Sequence, residues 1–186
     1  MPGTVIGTQM NNGYLGQFSR NADCIIKPRL VNPTDTVSIS FGDAVVLNTS
    51  GIATGAYSDA AGYIAGGGTF SMTVFAGIAV REVQTMITSY SPAPTVGAYA
   101  PGLPCDVLER GSVMVLFSNP KAAAAPVAGG AVYLRVSTNG AGTVVGAFEP
   151  AADGAHTVQL TNCAWETGLV DANNVIELTI LSRNLP

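Results

Sequence analysis

The residues with the most reactive side chains lie in one short segment, GAYAPGLPCDVLERGSVMVLF, residues 97–117. Six consecutive positions hold a thiol (Cys105), two carboxylates (Asp106 and Glu109) and a guanidinium (Arg110). A thiol becomes a nucleophile when a neighbouring base activates it, and two carboxylates can divide general acid and base work. Either chemistry requires that the surrounding elements bring these groups together.

The spacing of these residues does not favour catalysis. The single histidine, His156, is the one imidazole that could activate Cys105, and it lies far along the chain. Asp106 and Glu109 are three positions apart, which places them on opposite faces of a strand. We therefore interpret the segment as a rigid Pro-Gly turn that leads into a strand at residues 112–117, with Glu109 and Arg110 as exposed charges.

No metal or cofactor site is predicted. Cys24, Cys105 and Cys163 are far apart and form no Cys-x-x-Cys pair, so they are expected to be free thiols, mostly buried, in a reducing compartment. One histidine is too few for most zinc or iron sites. The Gly-Gly-Gly at 66–68 lacks the lysine and the helix of a phosphate-binding loop.

Composition excludes several classes of partner. Only 11% of the residues are charged, the net charge is −4, and the basic residues are scattered, so nucleic-acid binding is not expected. Glycine and proline interrupt every apolar stretch well before the roughly 20 residues of a membrane helix. The N-terminus lacks the basic and apolar regions of a signal peptide, which predicts synthesis in the cytoplasm. A weakly charged surface is easily dehydrated and favours a member of an assembly.

The distribution of 22 glycines and 11 prolines predicts many short strands and no long helix. We expect an all-β fold, a sandwich or barrel (jelly-roll-like) of short antiparallel strands. Residues 50–68 are expected to be a long flexible excursion. The predicted strands are 36–41, 44–49, 69–84 with a break at Gly77, 112–117, 131–138, 143–148, 156–165 and 175–182.

Two regions differ in character. Residues 1–35 carry isolated apolar side chains between glycines and prolines, which predicts an extended N-terminal arm that cannot pack against itself. Such an arm is either disordered or laid onto a neighbour. Its apolar positions favour the second alternative: Val5, Ile6, Tyr14, Leu15 and Phe18. Residues 36–186 are predicted to form a single β domain.

A series of phrases, taken in order, resembles the structural cement proteins that decorate the capsids of tailed bacteriophages. Among them are a Gly-x-Tyr-x-Pro-Gly-x-Pro step, a Val-Tyr-x-Arg hairpin and a terminal Arg-Asn-x-Pro. The phrases are MPGTVIGTQMNNGYLGQFSRNADCIIKPRLVN at the start, FGDAVVL (41–47), FAGIAVREVQT (75–85), residues 89–117, GGAVYLRVSTNGAGTVVGAFEP (129–150) and IELTILSRNLP (176–186).

The resemblance implies a non-enzymatic, β-rich protein on the outer surface of the phage head, made in the bacterial host cytoplasm. Its partners would be the major capsid protein, whose neighbouring subunits it bridges, and further copies of itself. A homotrimer with interlaced arms is expected, with a homodimer as the alternative. The candidate contact residues are Tyr14, Leu15, Phe18, Arg20, Glu109 and Arg110.

Other functions stay open at this point. A virion module of the head or tail that binds host glycans, or a remnant β-scaffold glycosidase, would rely on Asp106, Glu109 or His156. A tail or baseplate component would share the composition of a cement protein.

Overall fold

The computed structural model describes residues 12–49, 54–81, 97–120 and 125–183. Within these ranges no helix is long and apolar enough to cross a membrane. The elements are β1 Phe18–Leu30, β2 Ile39–Ser40, β3 Ala44–Leu47, β4 Tyr57–Asp59, α1 Ala60–Ala65, β5 Phe75–Ala79, β6 Ala98–Tyr99, β7 Pro104–Leu116, β8 Ala131–Arg135, β9 Phe148–Glu149, β10 Thr157–Trp165 and β11 Val175–Ile180.

The long strand β7 lies at the centre of the sheet. Along one edge it pairs antiparallel with β1, from Phe18 opposite Val113 to Leu30 opposite Pro104. Along the other edge β5 pairs with its first half, and β11 pairs with its second half from Gly111 onward. Two branches of sheet, β5-β3-β4 and β11-β10-β8-β9, therefore extend from the same strand.

Both branches curl back toward the central strands. Tyr57 in β4 forms a bridge with Val31, and Phe148 in β9 forms a bridge with Phe117. A backbone hydrogen bond accompanies each bridge, from the N–H of Asn32 to the Tyr57 carbonyl (2.7 Å) and from Ser118 to the Phe148 carbonyl (2.9 Å). The curled antiparallel sheet confirms the all-β prediction, and the curling covers strand edges that would otherwise be open to other chains.

The core is divided between the two faces of the sheet. The larger cluster contains Trp165 and most of the apolar residues of β8, β10 and β11, and a smaller cluster lies around Tyr57 and Tyr99. Strand β3 supplies both, because successive side chains point to opposite faces: Val45 is in the smaller cluster and Val46 in the larger one. Both faces of this strand are therefore buried.

The segment 50–68 is not the long flexible excursion that its glycines suggested. From residue 54 onward it contains β4 and α1, and Tyr57 and Ala60 are buried. The Asp59 carboxylate caps the helix by accepting a hydrogen bond from the N–H of Gly62 (2.7 Å). A helix of only six residues is too short to show a helical period in the sequence, so the prediction missed it.

Strand boundaries differ from expectation in other places as well, three of which follow from pairing. β5 continues through Gly77 instead of breaking there, and the partner strand β3 accommodates it with a shift of register. β7 begins at Pro104, not at residue 112, because β1 and β5 provide partners for its first half. The predicted strand 143–148 is mostly turn, and only its end joins β9, which does form a hairpin with β8.

The described part of the predicted arm lies on its own chain. Residues 18–30 form β1, although the segment was expected not to pack within its own chain. Before β1, the N–H of Asn12 donates to Asp171 Oδ2 (3.0 Å), and its side-chain amide donates to the carbonyls of Leu169 (2.8 Å) and Val175 (2.7 Å). Val5 and Ile6 lie outside the described residues, and the division at residue 35 stays a prediction.

Candidate functional site

The structure does not assemble a cysteine-based catalytic site. Cys105 is fully buried at the start of β7, and burial raises the pKa of its thiol far above the ordinary value, so the thiol stays protonated. His156 lies in the short 3-10 turn before β10, and its Nδ1 is 2.7 Å from Ser137 Oγ. Strand β11 separates β7 from β10, so the histidine and Cys105 belong to different parts of the sheet.

The two carboxylates of the segment are buried. Asp106 and Glu109 are 6% and 5% exposed, so the prediction that Glu109 is a surface charge is wrong. Glu109 forms an ion pair with Arg183. The prediction failed because it placed Glu109 before the strand at 112–117, whereas Glu109 lies within β7, which has strands along both edges and is covered on both faces. A buried, ion-paired carboxylate is poorly placed for acid–base work on an external glycan.

Arg110 is partly exposed, as predicted, and its partner is in the same chain. Its guanidinium lies 2.5 Å from the carboxylate of Asp23, which is itself exposed. Exposed pairs of this kind contribute about 0–1 kcal/mol to stability. Arg110 therefore remains accessible, and its role as a partner contact stays a prediction.

The predicted contact residues near the N-terminus have different environments. Tyr14 is 55% exposed, whereas Leu15 is only 8% exposed and packs with Met114 and Val175. Phe18 is half-buried against the larger core. The backbone of Arg20 pairs with β7, and its side chain is outside the described part of the structure. Among the three described side chains, Tyr14 is thus the most accessible, and Leu15 anchors the arm to the domain.

Next to Tyr14 lies a cleft of about 420 Å³, here called the arm cleft, lined by Tyr14, Gln17, Phe18 and Arg81. The backbone N–H of Arg81 donates to the carbonyl of Gly16 (2.9 Å). Gly16 has a φ of 71°, and a Cβ there would lie 2.9 Å from Phe41 Cβ. Glycine thus lets the arm turn closely over the sheet and fixes the position of the cleft.

A buried polar network lies at the opposite branch of the sheet. Arg135 is fully buried in β8; its Nε and one terminal nitrogen bind both oxygens of Glu149 (2.6 and 2.7 Å), and the other terminal nitrogen binds Asp153 (2.8 Å). These hydrogen bonds, chiefly those that Arg135 donates to Glu149, raise the pKa of Arg135. The network joins β8, β9 and the turn before β10. The Val-Tyr-x-Arg phrase contained this arginine, but nothing in the sequence indicated its partners.

A second cavity, of about 150 Å³, lies between α1 and the loop at 144–148, with Asp43 and Asp59 in its wall. Asp43 accepts a hydrogen bond from the N–H of Ser40 (2.9 Å). Burial, with a smaller contribution from the charge of Asp59, raises the pKa of Asp43 to about 7. No group of three metal-ligating residues occurs in the described ranges.

The raised pKa of Asp43 predicts a pH-dependent stability. The folded protein holds this proton up to about pH 7, whereas the unfolded chain releases it near the ordinary value of 3.8. The folded state therefore binds more protons between these values, so Asp43 makes the free energy of unfolding fall as pH rises from about 4 to 7. An Asp43→Asn variant should show a smaller fall, since Asp59, whose pKa burial also raises, still contributes. Urea denaturation at pH 4.5, 6 and 8 measures the difference. The same slope in both proteins would contradict the assignment.

Comparisons with known proteins identify one family and one shared fold. A sequence model of the structural cement proteins (E217 gp24/Pam3 gp6) matches residues 1–181. A solved structure described as "The capsid of Myoviridae Phage XM1" contains a chain with the same fold, at a TM-score of 0.57 and 16% identity, and the match covers 100% of both chains. A search of curated proteins returned no match. The match over nearly the whole sequence shows that this chain belongs to the family of structural cement proteins.

Proposed function

We propose that the protein binds the outer surface of a phage head and bridges neighbouring subunits of the major capsid protein, which it stabilises against the pressure of packaged DNA. The match of residues 1–181 to the structural cement family carries this proposal. The shared fold of a phage capsid chain is consistent with it. The virion is the corresponding location, after synthesis in the host cytoplasm.

A bridging protein stabilises a shell by mass action, because it binds the assembled arrangement of subunits and not the separated one. It must itself be stiff if it is to resist their movement. The two curled branches on one shared strand provide a continuous hydrogen-bonded body, and both faces of the shared strand are buried. Low charge density limits the desolvation penalty of a large contact.

The Pro-Gly-Leu-Pro turn at residues 101–104 supplies exposed apolar surface for such a contact. Leu103 in the Pro-Gly-Leu-Pro turn is 45% exposed, and Leu30 at the end of β1 is 57% exposed. The two are adjacent, since Leu30 pairs with Pro104 in the sheet. Exposed apolar residues grouped in one region of the surface are typical of interaction sites.

The proposal includes self-association as a homotrimer, with a homodimer as the alternative. Symmetric oligomers repeat each contact around the axis, which strengthens binding to a symmetric shell. Sedimentation equilibrium of the purified protein distinguishes the two states by mass. A monomer at all concentrations, both free and on capsids, would contradict this part of the proposal.

Removal of residues 1–11 is expected to weaken binding to expanded capsids about tenfold or more, because an extended arm that reaches a neighbour adds a second linked contact. The measurement is a binding isotherm on purified capsids that lack the protein. This variant keeps Asn12 and its three hydrogen bonds, so its thermal unfolding should match that of the full chain.

The position of the truncation matters. A deletion that ended at residue 30 would remove β1 and expose one edge of β7, so loss of binding could then reflect unfolding. With the deletion that ends at residue 11, unchanged affinity for capsids would show that residues 1–11 make no contact with the shell. No binding by the full-length protein would contradict the proposed function itself.

A further inference from the structure

The arm cleft combines apolar walls with hydrogen-bond donors. Tyr14 is exposed and Phe18 is half-buried. The side chains of Gln17 and Arg81, both exposed, line the same cleft. Among the described residues, no carboxylate forms an ion pair with Arg81. The cleft therefore holds a cationic group whose charge is not neutralised by the described part of the chain.

The donors of the cleft are held in place before any partner binds. Gln17 Oε1 accepts a hydrogen bond from the N–H of Tyr14 (3.1 Å), which leaves the side-chain NH₂ of Gln17 as a donor. The Arg81 guanidinium lies 5.7 Å from the centre of the Phe41 ring, a cation–π contact that restricts its motion. Donors held in this way lose less conformational entropy when they bind.

Two N–H donors, one of them charged, are the groups that recognise a carboxylate. Tyr14 and Phe18 provide apolar surface for the aliphatic part of the side chain that carries it. The charge of the cleft is opposite to the net charge of −4 of the whole protein, so it would attract an acidic segment that the rest of the surface repels. A basic segment would meet Arg81 unfavourably.

We propose that the arm cleft binds an acidic segment of the major capsid protein, with an Asp or Glu carboxylate on Arg81 and Gln17 and the adjoining apolar atoms against Tyr14 and Phe18. The inference rests on the proposed function and names the chemistry of one of its contacts. The cleft adjoins the point where the N-terminal residues leave the sheet, so one partner subunit can contact both.

The test compares an Arg81→Gln variant with Lys27→Gln, which removes the same charge from β1 and leaves the cleft intact. Both are used at full length, and binding is measured on expanded capsids that lack the protein, at low and high salt. Arg81→Gln should weaken binding about tenfold and reduce its salt dependence, while Lys27→Gln binds like the original protein. Tyr14→Ala should weaken binding without changing the salt dependence.

The outcomes distinguish failure of the cleft proposal from failure of the proposed function. If the original protein binds capsids and Arg81→Gln binds equally well, the cleft is not the contact and the inference fails, although the proposed function stands. If the original protein does not bind capsids, the proposed function fails. If Arg81→Gln lowers the mass of the free protein in sedimentation equilibrium, the cleft receives a second copy of this chain, which overturns the capsid assignment. Equal thermal unfolding of all variants confirms that each is folded.

Discussion

An Arg135→Met variant is expected to lose about 3–5 kcal/mol of the free energy of unfolding, because it leaves buried carboxylate charge without its partner. Glu149 is 3% exposed and receives two hydrogen bonds from Arg135, at 2.6 and 2.7 Å. With the guanidinium removed, this carboxylate must either stay charged in a poorly solvated site or take up a proton. Urea denaturation monitored by tryptophan fluorescence measures the loss, since Trp165 lies in the larger core cluster with Leu134 and Phe148, the chain neighbours of Arg135 and Glu149.

A second substitution distinguishes the effect of the unpaired charge on stability from the effect of altered packing. In an Arg135→Met/Glu149→Leu double variant the unpaired carboxylate is gone, so much of the lost stability should return. Asp153 stays partly exposed and can keep its charge in water. Glu149→Leu could instead lower the free energy of unfolding further, by as much as a core substitution usually costs. In that case the destabilisation comes from packing and the charge argument is wrong.

A Gly77→Ala variant is expected to be destabilised by about 3–5 kcal/mol, because a side chain there would collide with the neighbouring strand. Gly77 lies in the middle of β5 with a φ of 154°, and a Cβ at this position would lie 2.1 Å from the carbonyl oxygen of Leu108 in β7. That oxygen belongs to the backbone of the central strand and cannot move without disturbing both branches of the sheet. Thermal unfolding followed by circular dichroism provides the measurement.

Gly67→Ala is the matched control for this collision. Gly67 also has a positive φ, 88°, but a Cβ there would meet no atom within 4 Å. This variant should lose only the roughly 1–2 kcal/mol of a left-handed backbone conformation. Equal losses in the two variants would show that backbone conformation, and not the close approach of β5 to β7, decides the effect at Gly77.

The strand positions that the sequence predicted well are those with regular alternation. In β8, which the sequence predicted as a strand, Val132 and Leu134 alternate with Tyr133 and Arg135, and both apolar residues are fully buried. In β11, Ile176, Leu178 and Ile180 share a face in the same way and belong to the larger core cluster. Alternation is a local property with a period of two residues, so it can be detected without knowledge of the partner strands.

The same reasoning failed where the environment of a residue comes from distant parts of the chain. Glu109 was expected to be exposed, yet its carboxylate is buried beside Arg183. Gly77 was expected to break a strand, yet it lies within β5. The arm cleft was not predicted as a unit either. Tyr14 and Phe18 were chosen for their apolar character, but Arg81 is more than sixty positions away along the chain and reaches them through the hydrogen bond to Gly16.

The sequence by itself determined the all-β class and, through an ordered set of short phrases, the family of structural cement proteins. Alternation and turn residues act locally, and the order of phrases is written along the chain. The tertiary structure alone decided that two curled branches share β7, that residues 18–30 belong to the sheet, and that the Cys105–Arg110 group is part of a buried strand. Those features depend on which strands lie beside each other, and contacts between residues far apart in the chain set that pairing.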